Sequence, residues 1–346
     1  MRLRLVATGL LVCAGCSHAP PPSETAKAAK AERRDDWLVA LKSDLERIGA
    51  SDGFEGQVRV IHGGKAEIDR TFGETRCLPL GAGRRVLATV AVGLLVEADK
   101  LGWDDRLERR LPAVAGTSFA PLTVANLLTD SSGLALASAG IPREAAAQDS
   151  DLEWLVKNAG SAPLRAAPGT MVDPADERPW ILVEALVSQV AGDSFEQFVT
   201  TRFIEPAGMS ATSLRKSSSC PEADRGTTTL DDQFRLIEAL RAGKLVSPQT
   251  RAALWAPRLP LGPGSDVAYG FFVRTRENQQ AVGVSGEGRI PAYELWLDPV
   301  GSDALVLLGR TPAKTAHGIR TALGEFYALP PGAPQASAPT KRSVAR

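Results

Sequence analysis

Apolar residues at positions 38, 41, 45 and 48, behind Asp35 and Asp36, recur every three or four residues, the spacing of one helix face with acidic residues at its start. The period then shortens: residues 57–61 and 66–72 read as two strands of a hairpin around the turn His62-Gly63-Gly64-Lys65. From Cys77 to Asp105 an apolar helix pattern ends in the polar turn Asp99-Lys100. The middle of the chain is helical. It holds a short helix at 123–128, an apolar one at 181–190, and a third that opens on Ser194 and Gln197 in a capping-box pattern and closes at Pro206 and Gly208. Residues 269–273, 280–284, 293–297 and 304–308 read as four more strands, before a last helix carrying Ile319, Leu323 and Phe326. Strands at both ends with helices between them predict an α+β fold: an antiparallel β-sheet flanked by N- and C-terminal helices, with an inserted all-helical domain. The sheet domain takes residues 35–104 and 230–329, and the helical domain 105–229.

Residues 1–16 read as a lipoprotein signal peptide. Arg2 and Arg4 precede a short apolar run at 5–12 and then Cys13-Ala14-Gly15-Cys16, and a run so short is a signal segment, not a membrane span. The last four residues resemble a bacterial lipobox, which implies that Cys16 is acylated and anchors the chain to a membrane. Ser17 after it resembles the signal for outer-membrane sorting in a Gram-negative cell, which implies the periplasmic face of that membrane. An ordinary secretory signal cut nearby is the alternative. Residues 17–34, rich in Ala, Pro, Lys and Glu, read as a flexible linker, and 330–346 as a disordered tail. Lys+Arg and Asp+Glu both total 40, so the composition gives no nucleic-acid footprint. With three histidines, zinc sites and Ser-His-Asp triads are poorly supplied, and no metal or cofactor is expected.

Four landmarks stand in order: the helix end Asp99-Lys100-Leu101 with Asp104-Asp105, the run from Leu127 to Leu134, Pro168-Gly169-Thr170, and Glu205-Pro206-Ala207-Gly208-Met209. Over about residues 37–329 they resemble the serine β-lactamase and penicillin-binding-protein-like hydrolases related to class C β-lactamases. The resemblance implies three catalytic elements, and each is altered here. The family helix opens Gly-Ser-x-x-Lys; counting back from Asp99 puts Ala82 at the serine and Arg85 at the lysine, and no serine lies from 52 to 117 to rescue it. Ala82 has no hydroxyl, and a guanidinium stays charged at physiological pH, so Arg85 is no base. A Tyr-x-Asn is replaced by Pro174-Ala175-Asp176, and a Lys-Thr-Gly or His-Ser-Gly by Val284-Ser285-Gly286. The histidine of the family's Leu-Leu-Thr-His gives way to Asp130. Ser213-Leu214-Arg215-Lys216 repeats the Ser-x-x-Lys spacing, but it runs into the loop composition of 217–221.

Once Cys13 and Cys16 are removed or acylated, Cys77 and Cys220 are left to form a disulfide, with two separate buried thiols as the alternative. The plain reading of the altered cleft is that Arg85 pairs with Asp176 or Glu287 and fills the empty pocket. The sharper one is a ligand groove of Arg85, Asp176, Ser285, Gly286 and Glu287, in which Arg85 holds a carboxylate of a peptidoglycan stem peptide. The sequence and the resemblance together predict a non-catalytic envelope lipoprotein with a binding or scaffolding role, a peptidoglycan peptide or an envelope protein being the candidate partners. An active esterase, β-lactamase or D-Ala-D-Ala carboxypeptidase with relocated groups is the alternative.

Overall fold

The computed structural model describes residues 39, 41–43, 45–47, 54–75, 77–134, 151–174, 179–216, 220, 223, 225–276, 279–286 and 292–310. The expected signal segment with Cys16, the expected linker, the expected C-terminal helix and the expected tail lie outside them. β1 (Glu55–His62) and β2 (Lys65–Phe72) form the expected hairpin, turned by Gly63 and Gly64 at φ 57° and 80°, where a side chain is disfavoured. β3 (Leu78–Pro79) leads into α1 (Gly83–Glu97). The helical segment follows: α2 (Leu107–Arg110), α3 (Val124–Leu128), α4 (Asp151–Ala159), α5 (Trp180–Ala191), α6 (Phe195–Val199) and α7 (Glu205–Ala207). β4 (Thr227–Thr228) returns to pair with β3, and α8 (Leu230–Arg241) and α9 (Pro248–Trp255) lead to β5 (Leu259–Gly262), β6 (Ser265–Val267), β7 (Phe272–Arg276), β8 (Gln279–Ser285), β9 (Ala292–Leu297) and β10 (Ala304–Arg310).

Apart from the short β3–β4 pair, the strands make one antiparallel sheet in the order β2-β1-β10-β9-β8-β7-β6-β5, so the first hairpin lies beside the last strand. Alternation along the strands divides two cores. Val282, Val284, Tyr293, Leu295, Val306 and Leu308 face α1 and the helical segment. Val58, Val60, Trp296, Leu305 and Leu307 face the other way, where Leu41 and Leu45 of the N-terminal helix cover them. Burying those two leucines stabilises by about 1.5–3 kcal/mol each.

Four strands differ from expectation by existing at all, the two-residue β3 and β4 and the pair β5 and β6. β5 and β6 form an edge hairpin from Leu259-Pro260-Leu261-Gly262-Pro263-Gly264-Ser265, a run too exposed and too rich in proline to show alternation. Pro260 is tolerated because this is the sheet's edge, where it also discourages further pairing. The strand expected at 269–273 begins instead at Phe272. Gly270, at φ 71°, turns the chain so that its N–H donates to Leu128 O at 2.7 Å, and Ala268 N–H donates to Phe271 O at 2.8 Å.

In α1, twelve of fifteen residues are buried, which is why its pattern is apolar on every side and not amphipathic. It ends where Asp99 takes a positive φ of 53°. Ser194 caps α6 as expected, its Oγ accepting from Gln197 N–H at 3.1 Å, while the Gln197 side chain reaches forward to Thr201 instead of back to the cap. A π turn at Thr200–Ile204 carries this helix into α7, ahead of Pro206, which has no N–H to give, and Gly208 at φ 70° stops it.

Candidate functional site

The site begins at the head of α1. Gly81, at φ 50°, turns the chain, Ala82 is the N-cap residue, and no side chain caps the helix. Gly83 N–H donates to Leu80 O at 2.9 Å and Arg85 N–H to Ala82 O at 3.1 Å, so the turn closes on its own backbone. Position 83 must be glycine because a Cβ there would lie 2.7 Å from the Tyr293 ring. The end of β8 lies against the same turn: a Cβ at Gly286 would meet the Ala82 methyl at 3.5 Å, and Gly286 N–H donates to Tyr293 O at 2.7 Å. Ala82 itself is 6% exposed.

One helical turn on, Arg85 enters a closed box. Its Nη2 donates to Asp130 Oδ2 at 2.5 Å, its Nε to Gly270 O at 3.1 Å, and the guanidinium lies 4.4 Å from the Trp180 ring centre and 5.4 Å from that of Phe272. Trp180 Nε1 in turn donates to Asp130 Oδ1 at 3.0 Å. The side chains of Arg85 and Asp130 are 6% and 2% exposed. A buried guanidinium survives desolvation only with a carboxylate and aromatic faces around it, and this box supplies both. Asp130 is held at φ 50°, and its carbonyl accepts from Asp173 N–H at 2.8 Å, which brings the segment ending at Pro174 beside the box. Pro174 brings no hydroxyl with it.

Among the described residues the partner of Arg85 is Asp130. The two partners expected, Asp176 and Glu287, lie outside the described residues. The Arg85 guanidinium, expected to serve a ligand groove, is buried and paired with Asp130. Ser285 sits on the sheet face opposite Val284, which is fully buried in the α1-side core, and its Oγ donates to Glu294 Oε1 at 2.7 Å beside Trp296 Nε1. Gly286 is the member of the Val284-Ser285-Gly286 trio at which a side chain would meet the Ala82 methyl.

Arg84, the neighbour of Arg85, points away to α5. All five of its donors are taken, by both oxygens of Glu184, by Glu196 Oε1 and by the carbonyls of Leu214 and Arg225. Burial alone would pull this guanidinium's pKa down, but Glu184 and then Glu196 more than offset that and leave it above the ordinary value. Behind Gly83 runs a second buried polar chain that sequence reading missed. Tyr293 Oη donates to Gln233 Oε1 at 2.6 Å, Gln233 Nε2 to Thr228 Oγ1 at 2.8 Å, and Thr212 Oγ1 to Asp232 Oδ2 at 2.8 Å. Burial pushes the Tyr293 hydroxyl far above the usual tyrosine range.

The other candidate groups can be placed among the described residues. Every lysine there is exposed or half-buried, and His62 faces Asp303 Oδ2 at 2.8 Å in the first hairpin turn. Ser213 of the second Ser-x-x-Lys match lies on an isolated bridge to Thr227, not in a helix, and its Oγ accepts from Arg215 N–H. No group of three or more His, Cys, Asp or Glu that could hold a metal occurs among the described residues. Cys77 and Cys220 are joined in a disulfide with a Cα–Cα distance of 5.9 Å.

The family model described as Beta-lactamase matches residues 42–322, most of the chain. The chain belongs to the β-lactamase family. Penicillin-binding protein 4* of Bacillus subtilis (strain 168) is 25% identical over 308 residues, covering 73% of this chain and 67% of that protein. Among solved structures, the penicillin binding protein from Bacillus halodurans superposes with a TM-score of 0.67 at 18% identity, covering 82% of this chain and 99% of that one. A D-stereospecific amidohydrolase from Streptomyces sp. gives 0.65 at 16%, covering 82% and 97%. At those identities the superpositions establish the β-lactamase family fold, and what this member does must be argued from its own residues.

Proposed function

We propose that this chain is a non-catalytic member of the β-lactamase family, anchored to the cell envelope through an acylated Cys16 on the periplasmic face of the outer membrane, and serving there in binding or scaffolding. One observation carries the reading: a methyl group at Ala82 heads α1 while Arg85, one turn on, is sealed in with Asp130. Acyl transfer on this fold needs an oxygen nucleophile and a group that takes its proton. A methyl supplies no lone pair, and a guanidinium with a carboxylate partner accepts no proton. Removing the nucleophile of a hydrolase leaves only the residual rate given by binding and polar groups, several orders of magnitude lower.

Incubating the purified mature domain with a fluorescent penicillin and a chromogenic ester tests this. The expected outcome is no covalent label and no turnover above buffer. Labelling that a single serine substitution abolishes would establish a working hydrolase and overturn the reading. For the anchor, labelled palmitate fed to Gram-negative cells expressing the chain is expected to enter the wild type and not Cys16→Ser. Equal labelling of both would remove Cys16 from the proposal.

A further inference from the structure

The carboxylate that holds Arg85 does more than fill the space left by a catalytic pair. Position 85 is enclosed by groups from four parts of the chain: Asp130 after α3, Trp180 at the start of α5, the carbonyl of Gly270, and Phe272 at the start of β7. Of these, Asp130 is the one charged side chain in contact with Arg85 among the described residues, and the others are two aromatic faces and a carbonyl dipole that also favours a cation. Asp130 is itself fixed from several directions. Trp180 Nε1 holds Oδ1, the backbone stands at φ 50°, and Asp173 N–H holds its carbonyl.

From this enclosure we infer that Asp130 is a positioning residue that fixes the charge of any base placed at position 85, so that the site is closed to proton abstraction by two independent features, the missing hydroxyl at Ala82 and the carboxylate at Asp130. The inference rests on the non-catalytic reading above but does not stand or fall with it. An amine at position 85 would be a base only when neutral, and a carboxylate at hydrogen-bond distance in a dry pocket favours the ammonium. With Asp130 neutralised, no second carboxylate among the described residues meets position 85, and the aromatic faces and the Gly270 carbonyl offset only part of the desolvation cost, so the balance moves toward the free amine. Restoring serine and lysine at 82 and 85 therefore leaves an ammonium beside the new hydroxyl for as long as Asp130 stands.

The test compares Arg85→Lys with Arg85→Lys/Asp130→Asn in the full chain, using lysine labelled at Cε and Nζ and NMR titration of the resonance absent from the wild type. Asparagine keeps an oxygen for Trp180 Nε1 and removes the charge. With Asp130 present, the introduced lysine is expected to titrate above the free-lysine value of about 10.4, and with the Asp130→Asn change below it, the two differing by at least about one pH unit. A lysine at this position that titrates below the free value beside Asp130, or at the same pH in both variants, overturns the inference. Should Arg85→Lys/Asp130→Asn fail to fold, the Arg85→Lys variant alone decides by the side of the free value on which it titrates. The titration needs no substrate, so it fails separately from the penicillin test of the non-catalytic reading.

Discussion

At the scale of single residues, the buried hydroxyl of Tyr293 ties pH to stability. Its ring closes the space behind Gly83 and its Oη donates to Gln233, so ionising it in place would bury an anion against an acceptor. The pKa of the folded state is raised above the unfolded value of about 10. A raised pKa contributes stability that is fully present below about pH 10 and is lost as pH climbs above it, since only the unfolded chain releases the proton. Unfolding free energy is expected to fall by about 1.4 kcal/mol per pH unit above pH 10 from this one group. Urea midpoints between about pH 8 and 11.5 check it: Tyr293→Phe flattens this limb, while its loss of one hydrogen bond lowers the plateau by about 1 kcal/mol. An equally steep limb in Tyr293→Phe would place the effect elsewhere. That positions 82 and 85 carry a methyl and a guanidinium is legible in the sequence by counting back from the landmark at Asp99. The count did not tell which carboxylate meets Arg85, since Asp130 is 45 residues away and two other acids stood as well placed. For Ser285 the signal was present and unused: with Val284 directed to the α1-side core, period two sends Ser285 to the opposite face.

At the scale of elements, alternation and helical spacing placed most of what the cores need, and it failed where a close approach overrides pattern. The run from Tyr269 to Val273 is apolar enough for a strand, yet pairing starts only at Phe272. The reason is Gly270, which passes so close over α1 that a Cβ there overlaps Thr89 Oγ1, a buried hydroxyl with no hydrogen-bond partner among the described residues. The same turn gives its carbonyl to Arg85 and its N–H to Leu128, so one glycine joins α1, α3 and β7. Gly270→Ala is expected to cost at least about 2 kcal/mol, from the positive φ and from overpacking together. Adding Thr89→Ala removes the overlap with Oγ1 but leaves the Cβ of residue 89 at 2.8 Å and the backbone strain in place, so the double variant should recover part of that loss. Thermal midpoints of the two single variants and the double variant separate the terms. Additive losses would show that the contact with Thr89 is not what confines position 270.

For the whole molecule, what matters is where the chain leaves the sheet and comes back. β1 and β2 come from the beginning of the described chain, β10 from its end, and the helical segment departs after β3 and returns at β4. Leu80 N–H donates to Gly226 O at 2.8 Å across this neck, and the Cys77–Cys220 bridge closes it covalently around α1 and every helix through α7, a separation of 143 residues. Cross-linking so long a loop removes much of the unfolded chain's freedom, about 3–5 kcal/mol on the chain-entropy view. The bridge also binds the lead into Gly81 and Ala82, so the head of α1 is set by the same covalent tie that holds the helical segment. Such a bond forms in an oxidising compartment, in keeping with the proposed envelope location. Cys77→Ser/Cys220→Ser is therefore expected to lower the thermal midpoint by on the order of 10 °C, and reductant to lower the wild type equally while leaving the double variant unmoved. If reductant shifts the double variant as well, or leaves the wild type unchanged, the neck is held by its backbone pairing and side chains and not by the disulfide.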